Sequence, residues 1–193
     1  MRDGGCGESD PAVGHPRLTI LIGLRAAGKT TVGRSLAEGW GVPFVETDDL
    51  ALARFDEPTI EAVFGAHGEA AWRAAERAVV FEEVPGRGVV ALGGGTPMIE
   101  DVEAWLKAQI VSGATAVVYL ACEVETLGRR LHERPGDRPP LLEGRSNDDE
   151  VAALFDRRDP VYRGIATTLI DVTHLDTGSV VVRLNAMLGG FSP

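Results

Sequence analysis

Leu18-Thr19-Ile20-Leu21-Ile22-Gly23-Leu24-Arg25-Ala26-Ala27-Gly28-Lys29-Thr30 decides how this chain folds. Its first five residues form an apolar run of strand length. The rest fits G-x-x-x-x-G-K-[ST], the pattern that carries a strand into a helix around a phosphate group. Such a turn aims successive backbone N–H groups at an anion, and the following helix adds its positive N-terminus. Gly23, Ala26, Ala27, Gly28, Lys29, Thr30 and Thr31 are therefore the expected nucleotide-phosphate contacts, with Lys29 on the outer phosphates and the Thr30 hydroxyl on Mg²⁺. Of 19 basic residues only Lys29 and Lys107 are lysines, and one of them occupies the position where a compact ammonium is needed in place of a guanidinium fork.

Outward from this turn, short apolar runs alternate with amphipathic segments, the rhythm of parallel βαβ units. Strands are expected at Leu18 to Ile22, Pro43 to Glu46, Val89 to Leu92, Ala116 to Leu120 and Thr168 to Asp171. Helices are expected at Lys29 to Trp40, Ile60 to Phe64, Glu69 to Val84, Val102 to Val111, Glu123 to Glu133, Asp148 to Arg157 and Gly178 to Leu188. The fold class is α/β, a five-stranded doubly wound parallel sheet flanked by helices. Ligands bind such sheets at the carboxyl ends of the strands, so residues just after each strand are functional candidates. A Pro-, Gly- and charge-rich stretch, Arg134 to Asn147, reads as a lid.

A length of 193 residues suits one domain, expected over 17–190, with 1–16 as a disordered tail. A net charge of −10 argues against general nucleic-acid binding. No 18-residue apolar run and no signal-peptide core are present, which points to a cytoplasmic protein without a membrane partner. Two cysteines, Cys6 and Cys122, make no disulfide framework, and His15, His67, His132 and His174 have no metal-ligand spacing.

The residues after the strands add to the pattern. Glu46-Thr47-Asp48-Asp49 follows the second strand and Gly93-Gly94-Gly95 the third, with Gly68-Glu69-Ala70-Ala71-Trp72-Arg73-Ala74-Ala75-Glu76 between them. Asp137-Arg138-Pro139-Pro140-Leu141-Leu142 lies in the expected lid, and Pro160-Val161-Tyr162-Arg163-Gly164-Ile165-Ala166 near the end. In this order and spacing the motifs resemble shikimate kinase over about residues 17 to 188. The resemblance implies a nucleoside-monophosphate-kinase-like P-loop fold with three layers and a lid. It also implies ATP and Mg²⁺ as cofactors, shikimate as the substrate, and a monomer.

Carried over by position, the resemblance makes Asp48 the carboxylate that orients the attacking hydroxyl, and Arg73 and Arg163 the arginines that hold the substrate carboxylate. Gly93, Gly94 and Gly95 become the backbone approaching the ring, Arg138 the arginine closing over the transferring phosphate, and Arg130 the side chain packing on adenine. Glu76 matches a further substrate-contacting position. Asp49 is expected to cap the next helix, and Trp72 and Phe64 to be core or pocket-wall aromatics.

Four departures stand out. Ala26 replaces a frequent family glycine that the general phosphate-loop pattern does not require. Glu46 replaces the aspartate that supports Mg²⁺, and its extra methylene moves the charge. The lid carries one extra proline, and Thr177 replaces a proline near adenine. The alternatives are a same-fold kinase of another small hydroxy acid such as gluconate, or a catalytically silent nucleotide-binding domain. The absence of an Asn-Lys-x-Asp motif disfavours a GTP switch.

Overall fold

In the computed structural model, which describes residues 15–133 and 147–189, five parallel strands stand in the order β2-β3-β1-β4-β5. They are β1 (Leu18–Ile22), β2 (Phe44–Glu46), β3 (Gly88–Ala91), β4 (Thr115–Ala121) and β5 (Thr168–Asp171). Strands β1, β3 and β4 are buried along their whole length, as their near-continuous Val, Ile and Leu content requires of a sheet covered on both faces. β1 pairs with β3 on one side and β4 on the other, so the chain reverses its winding beside β1. All strands being parallel, the segments after β1, β2 and β3 emerge at one edge, and this is what assembles the site.

The helices are α1 (Lys29–Trp40), α2 (Thr47–Leu52), α3 (Ile60–Glu82), α4 (Glu100–Val111), α5 (Val124–Glu133), α6 (Asn147–Ile165) and α7 (Thr177–Leu188), with a 3₁₀ turn at Thr96–Met98. The two helices expected around Gly68 run together as α3 across a kink, where Gly68 takes φ 79°, ψ 169°, a conformation that glycine reaches at little cost.

Three expectations are corrected. α2 was not among the expected helical segments. Asp49 does not cap it, since Glu46 is the N-cap residue and Asp48 and Asp49 both lie in the first turn, complementing the helix dipole. α6 does not stop at Arg157 but runs through Pro160 to Ile165, its buried face continuing through Tyr162 and Ile165. The expected lid falls at 134–147, where 134–146 lie outside the described residues together with the N-terminal 1–14.

Two hydrophobic clusters hold the molecule. The larger joins the sheet to α1, α4, α6 and α7. A smaller one, built on Ala51, Ile60, Val63, Trp72, Ala75 and Val79, holds α2 against α3, with Leu50, Phe55 and Phe64 packed on it. Trp72 is buried and Phe64 half-buried, in agreement with their expected roles.

Candidate active site

The segment between β1 and α1 forms the phosphate loop. Lys29 is buried, and its ammonium donates to the carbonyls of Gly23 at 2.9 Å and Leu24 at 3.1 Å, which fixes it over the loop. Gly28 turns into α1 with φ 94°, placing the helix N-terminus beneath the loop. Ala26 adopts φ 65° and is the one non-glycine residue with positive φ among the described residues. The general motif conceals this demand: the loop needs a left-handed residue here, and alanine adopts that conformation at a cost of about 1 kcal/mol.

Thr30 Oγ1 donates to Glu46 Oε2 at 2.5 Å. The longer glutamate side chain therefore reaches the hydroxyl from the end of β2. Burial chiefly raises the Glu46 pKa above its ordinary 4.5, and the Thr30 hydrogen bond opposes it. A hydroxyl and one carboxylate beside a phosphate loop suit Mg²⁺, which keeps several waters and takes few protein ligands.

Across the cleft lies a buried polar cluster. Glu76, 1% exposed, receives a hydrogen bond from Thr96 Oγ1 at 2.7 Å and pairs with Arg73 at 2.5 Å. Arg73 also pairs with Glu69 at 2.9 Å. Burial works against the charge on Arg73, yet the two glutamates outweigh it and raise its pKa; burial chiefly raises that of Glu76, despite Arg73. A Cβ on Gly93 would collide with the carboxylates of Asp48 and Glu76, and one on Gly95 with the Arg73 guanidinium, so a larger residue at either position would displace these charged groups. Thr47 stitches the same turn to the sheet, donating to the Ala91 carbonyl at 3.2 Å and accepting from the Gly93 amide at 3.1 Å.

The second arginine of this cluster is Arg158, not Arg163. Arg158 is 8% exposed and sits beside Arg73 and Gly95, with a guanidinium nitrogen 3.5 Å from where a Gly94 Cβ would be. Burial, with Arg73 nearby, pulls its pKa down. Arg163 has a side chain 53% exposed, pairs with Asp159 at 2.7 Å and lies over the Tyr119 ring, away from the glycine turn. The reason is helical phase: Arg158, Tyr162 and Ile165 share the buried face of α6, and Arg163 falls on the outer one. That spacing was readable in the sequence, but ending the helix at Arg157 concealed it. Thr47, Thr96 and Tyr162 were missed for another reason, since their hydroxyls act on backbone and side chains that only the fold brings near.

Arg130 forms the far wall. It donates to the carbonyls of Val172 at 2.9 Å and Ala26 at 3.4 Å, joining the phosphate loop to the end of β5. Thr177 opens α7 in the same wall, beside Asp176, whose carboxylate caps the helix by accepting from the Ser179 amide at 2.9 Å. One cleft of about 820 Å³ runs from this wall past Lys29 and Thr30 to Asp48 and Gly94. Arg138 lies outside the described residues.

The family description "Shikimate kinase" matches residues 25–188. The chain belongs to the shikimate kinase family. The shikimate kinase of Frankia casuarinae is 39% identical over 181 residues, covering 93% of this chain and 76% of that protein. That of Thermobifida fusca is 38% identical over 157 residues, 81% of this chain and 86% of the relative. Among solved structures, the shikimate kinase from Acinetobacter baumannii in complex with shikimate superposes with a TM-score of 0.78 at 31% identity, covering 90% of this chain and 92% of that one. The shikimate kinase match thus spans both the phosphate loop and the arginine cluster.

Proposed function

We propose that this chain transfers the γ-phosphoryl group of ATP to the 3-hydroxyl of shikimate, giving shikimate 3-phosphate and ADP for aromatic amino-acid (chorismate) synthesis. The observation that carries the reading is the pair of guanidiniums, Arg73 and Arg158, beside Gly94 and Gly95 in a site that also contains Lys29 and Asp48. Two planar donors suit a carboxylate. The glycine turn leaves the main chain close to the ring.

Phosphoryl transfer requires positioning and charge neutralisation more than covalent help. Lys29 neutralises the outer phosphates. Asp48, at the start of α2, orients the attacking hydroxyl and accepts its proton. Glu76 and Glu69 hold Arg73 in plane. Arg130 walls the nucleotide, and Arg138 completes the set by family resemblance. Mg²⁺ would be held by Thr30 directly and by Glu46 through its water shell, and when bound supplies further charge neutralisation at the phosphates.

The test is ADP release by the purified protein with shikimate, gluconate or nucleoside monophosphates as acceptors. Shikimate alone is expected to support turnover. Binding of ATP without turnover of shikimate would replace this reading with a silent nucleotide-binding domain.

A further inference from the structure

Tyr162 is fully buried on the inner face of α6, and its hydroxyl donates to the carbonyl of Gly94. Arg158, one turn earlier on the same helix face, brings a guanidinium nitrogen to 3.5 Å from where a Gly94 Cβ would be and interacts with the Tyr162 hydroxyl. A phenol has one proton and two lone pairs, so with its proton committed to Gly94 the Tyr162 oxygen meets the Arg158 guanidinium as an acceptor. One oxygen thus joins the guanidinium that faces the substrate carboxylate to the main chain that faces the substrate ring.

We propose that Tyr162 is a positioning residue for shikimate, which sets Arg158 and the Gly93–Gly95 turn in fixed relation before the substrate arrives. The inference rests on the function proposed above. An arginine has several rotatable bonds, and ordering it only on binding would weaken affinity. Tyr162 removes that freedom beforehand. It also satisfies a Gly94 carbonyl in a turn where the chain has left β3 and no strand partner is at hand. Burial pushes the Tyr162 pKa up to about 12, so the hydroxyl keeps its proton, and its donor role, across the working range.

The neighbouring Tyr119 provides a matched control. Its ring lies 5.1 Å from that of Tyr162, but its hydroxyl donates to Asp159 at 2.8 Å, on the side of the helix facing Arg163. Removing either oxygen deletes one atom from the same aromatic pair, yet only Tyr162 touches the site.

The experiment compares Tyr162→Phe, Tyr119→Phe and wild-type enzyme in steady-state kinetics; phenylalanine retains the ring packing, so both variants keep the fold. Tyr162→Phe is expected to raise the KM for shikimate about five- to twentyfold, less than removal of Arg158 itself because the guanidinium is loosened and not deleted, with kcat within about twofold and the ATP KM unchanged. Tyr119→Phe should match wild type. In an Arg158→Ala background the Tyr162→Phe change should add less than about twofold, because the side chain it positions is gone. An unchanged shikimate KM in Tyr162→Phe, or a parallel rise in the shikimate and ATP KM values, would overturn the positioning role. Wild-type enzyme that failed to turn over shikimate would instead overturn the proposed function.

Discussion

The hydroxyl of Thr30, in the first turn of α1, donates to the carboxylate of Glu46, at the end of β2, across 2.5 Å. The two residues lie on neighbouring elements at the carboxyl edge of the sheet, and the length of glutamate is what closes the gap. The backbone of this chain is therefore adapted to glutamate. Shortening the side chain to aspartate withdraws the carboxylate from Thr30, so Glu46→Asp should raise the Mg²⁺ concentration for half-maximal activity by about three- to tenfold and leave the shikimate KM unchanged. A Mg²⁺ titration at saturating shikimate reads this directly; a lower requirement in the variant would refute it.

The same carboxylate gives a pH dependence with a definite sign. Because burial raises the Glu46 pKa above 4.5, the folded protein binds this proton more readily than the unfolded chain does. Its contribution favours the folded state most at pH below 4.5 and is lost as pH rises through the raised folded value. Glutamine imitates the protonated form. The stability of Glu46→Gln relative to wild type, measured by denaturant unfolding, should therefore increase from pH 4.5 towards neutrality. A difference independent of pH would show that Glu46 titrates normally in the fold.

Ala26 pays a conformational penalty in the phosphate loop, and glycine would relieve it. Against this, glycine adds entropy to the unfolded chain, about 0.5 to 1 kcal/mol. Ala26→Gly should accordingly leave stability equal or raise it by up to about 0.5 kcal/mol, whereas Ala26→Val, β-branched at positive φ, should lower it by more than about 1 kcal/mol. Thermal unfolding of the two variants side by side decides the matter, and a tolerated valine would mean that the loop can leave the left-handed conformation.

Arginines 73, 158 and 163 should separate cleanly in kinetics. Arg73→Ala and Arg158→Ala each remove charge-assisted hydrogen bonds worth about 1.5 to 3 kcal/mol, so the KM for shikimate should rise about ten- to a hundredfold. Arg163→Ala loses a solvent-facing ion pair with Asp159 and a contact over the Tyr119 ring, both away from the glycine turn, and should stay within about twofold of wild type. A large effect at Arg163 with none at Arg158 would reverse the assignment of the two.

Lys29→Ala should abolish turnover while the protein keeps the wild-type circular dichroism spectrum, because the loss is a charge at the phosphate loop and not core packing. Measurable activity near the wild-type level would exclude the phosphate-loop reading.

Much of this is legible in the sequence. The bounds of β1, α1 and β5 follow from apolar run length and from the G-x-x-x-x-G-K-T turn, because strand, turn and helix signals there agree. What escaped was set by tertiary placement. The phase of α6 beyond Arg157 decides which arginine enters the site, and ending the expected helix at Arg157 hid that phase. The left-handed demand at Ala26 belongs to this loop's path and not to its motif. Thr47, Thr96 and Tyr162 are ordinary core-facing residues by pattern, and their hydroxyls gain meaning only once β3, α3 and α6 meet at the glycine turn.

The division of the interior into two clusters bears on how the enzyme fails when warmed. The small cluster around Trp72 holds α2, which carries Asp48, while the nucleotide side leans on the larger core under the sheet. The smaller unit has less apolar surface to defend and meets the kink at Gly68, so it can open sub-globally while the sheet stays folded. Such a partly opened molecule would retain ATP but not present Asp48 to an acceptor. Heat would thus silence catalysis first and nucleotide binding only afterwards, with amide exchange in α2 rising ahead of that in β1 and β4.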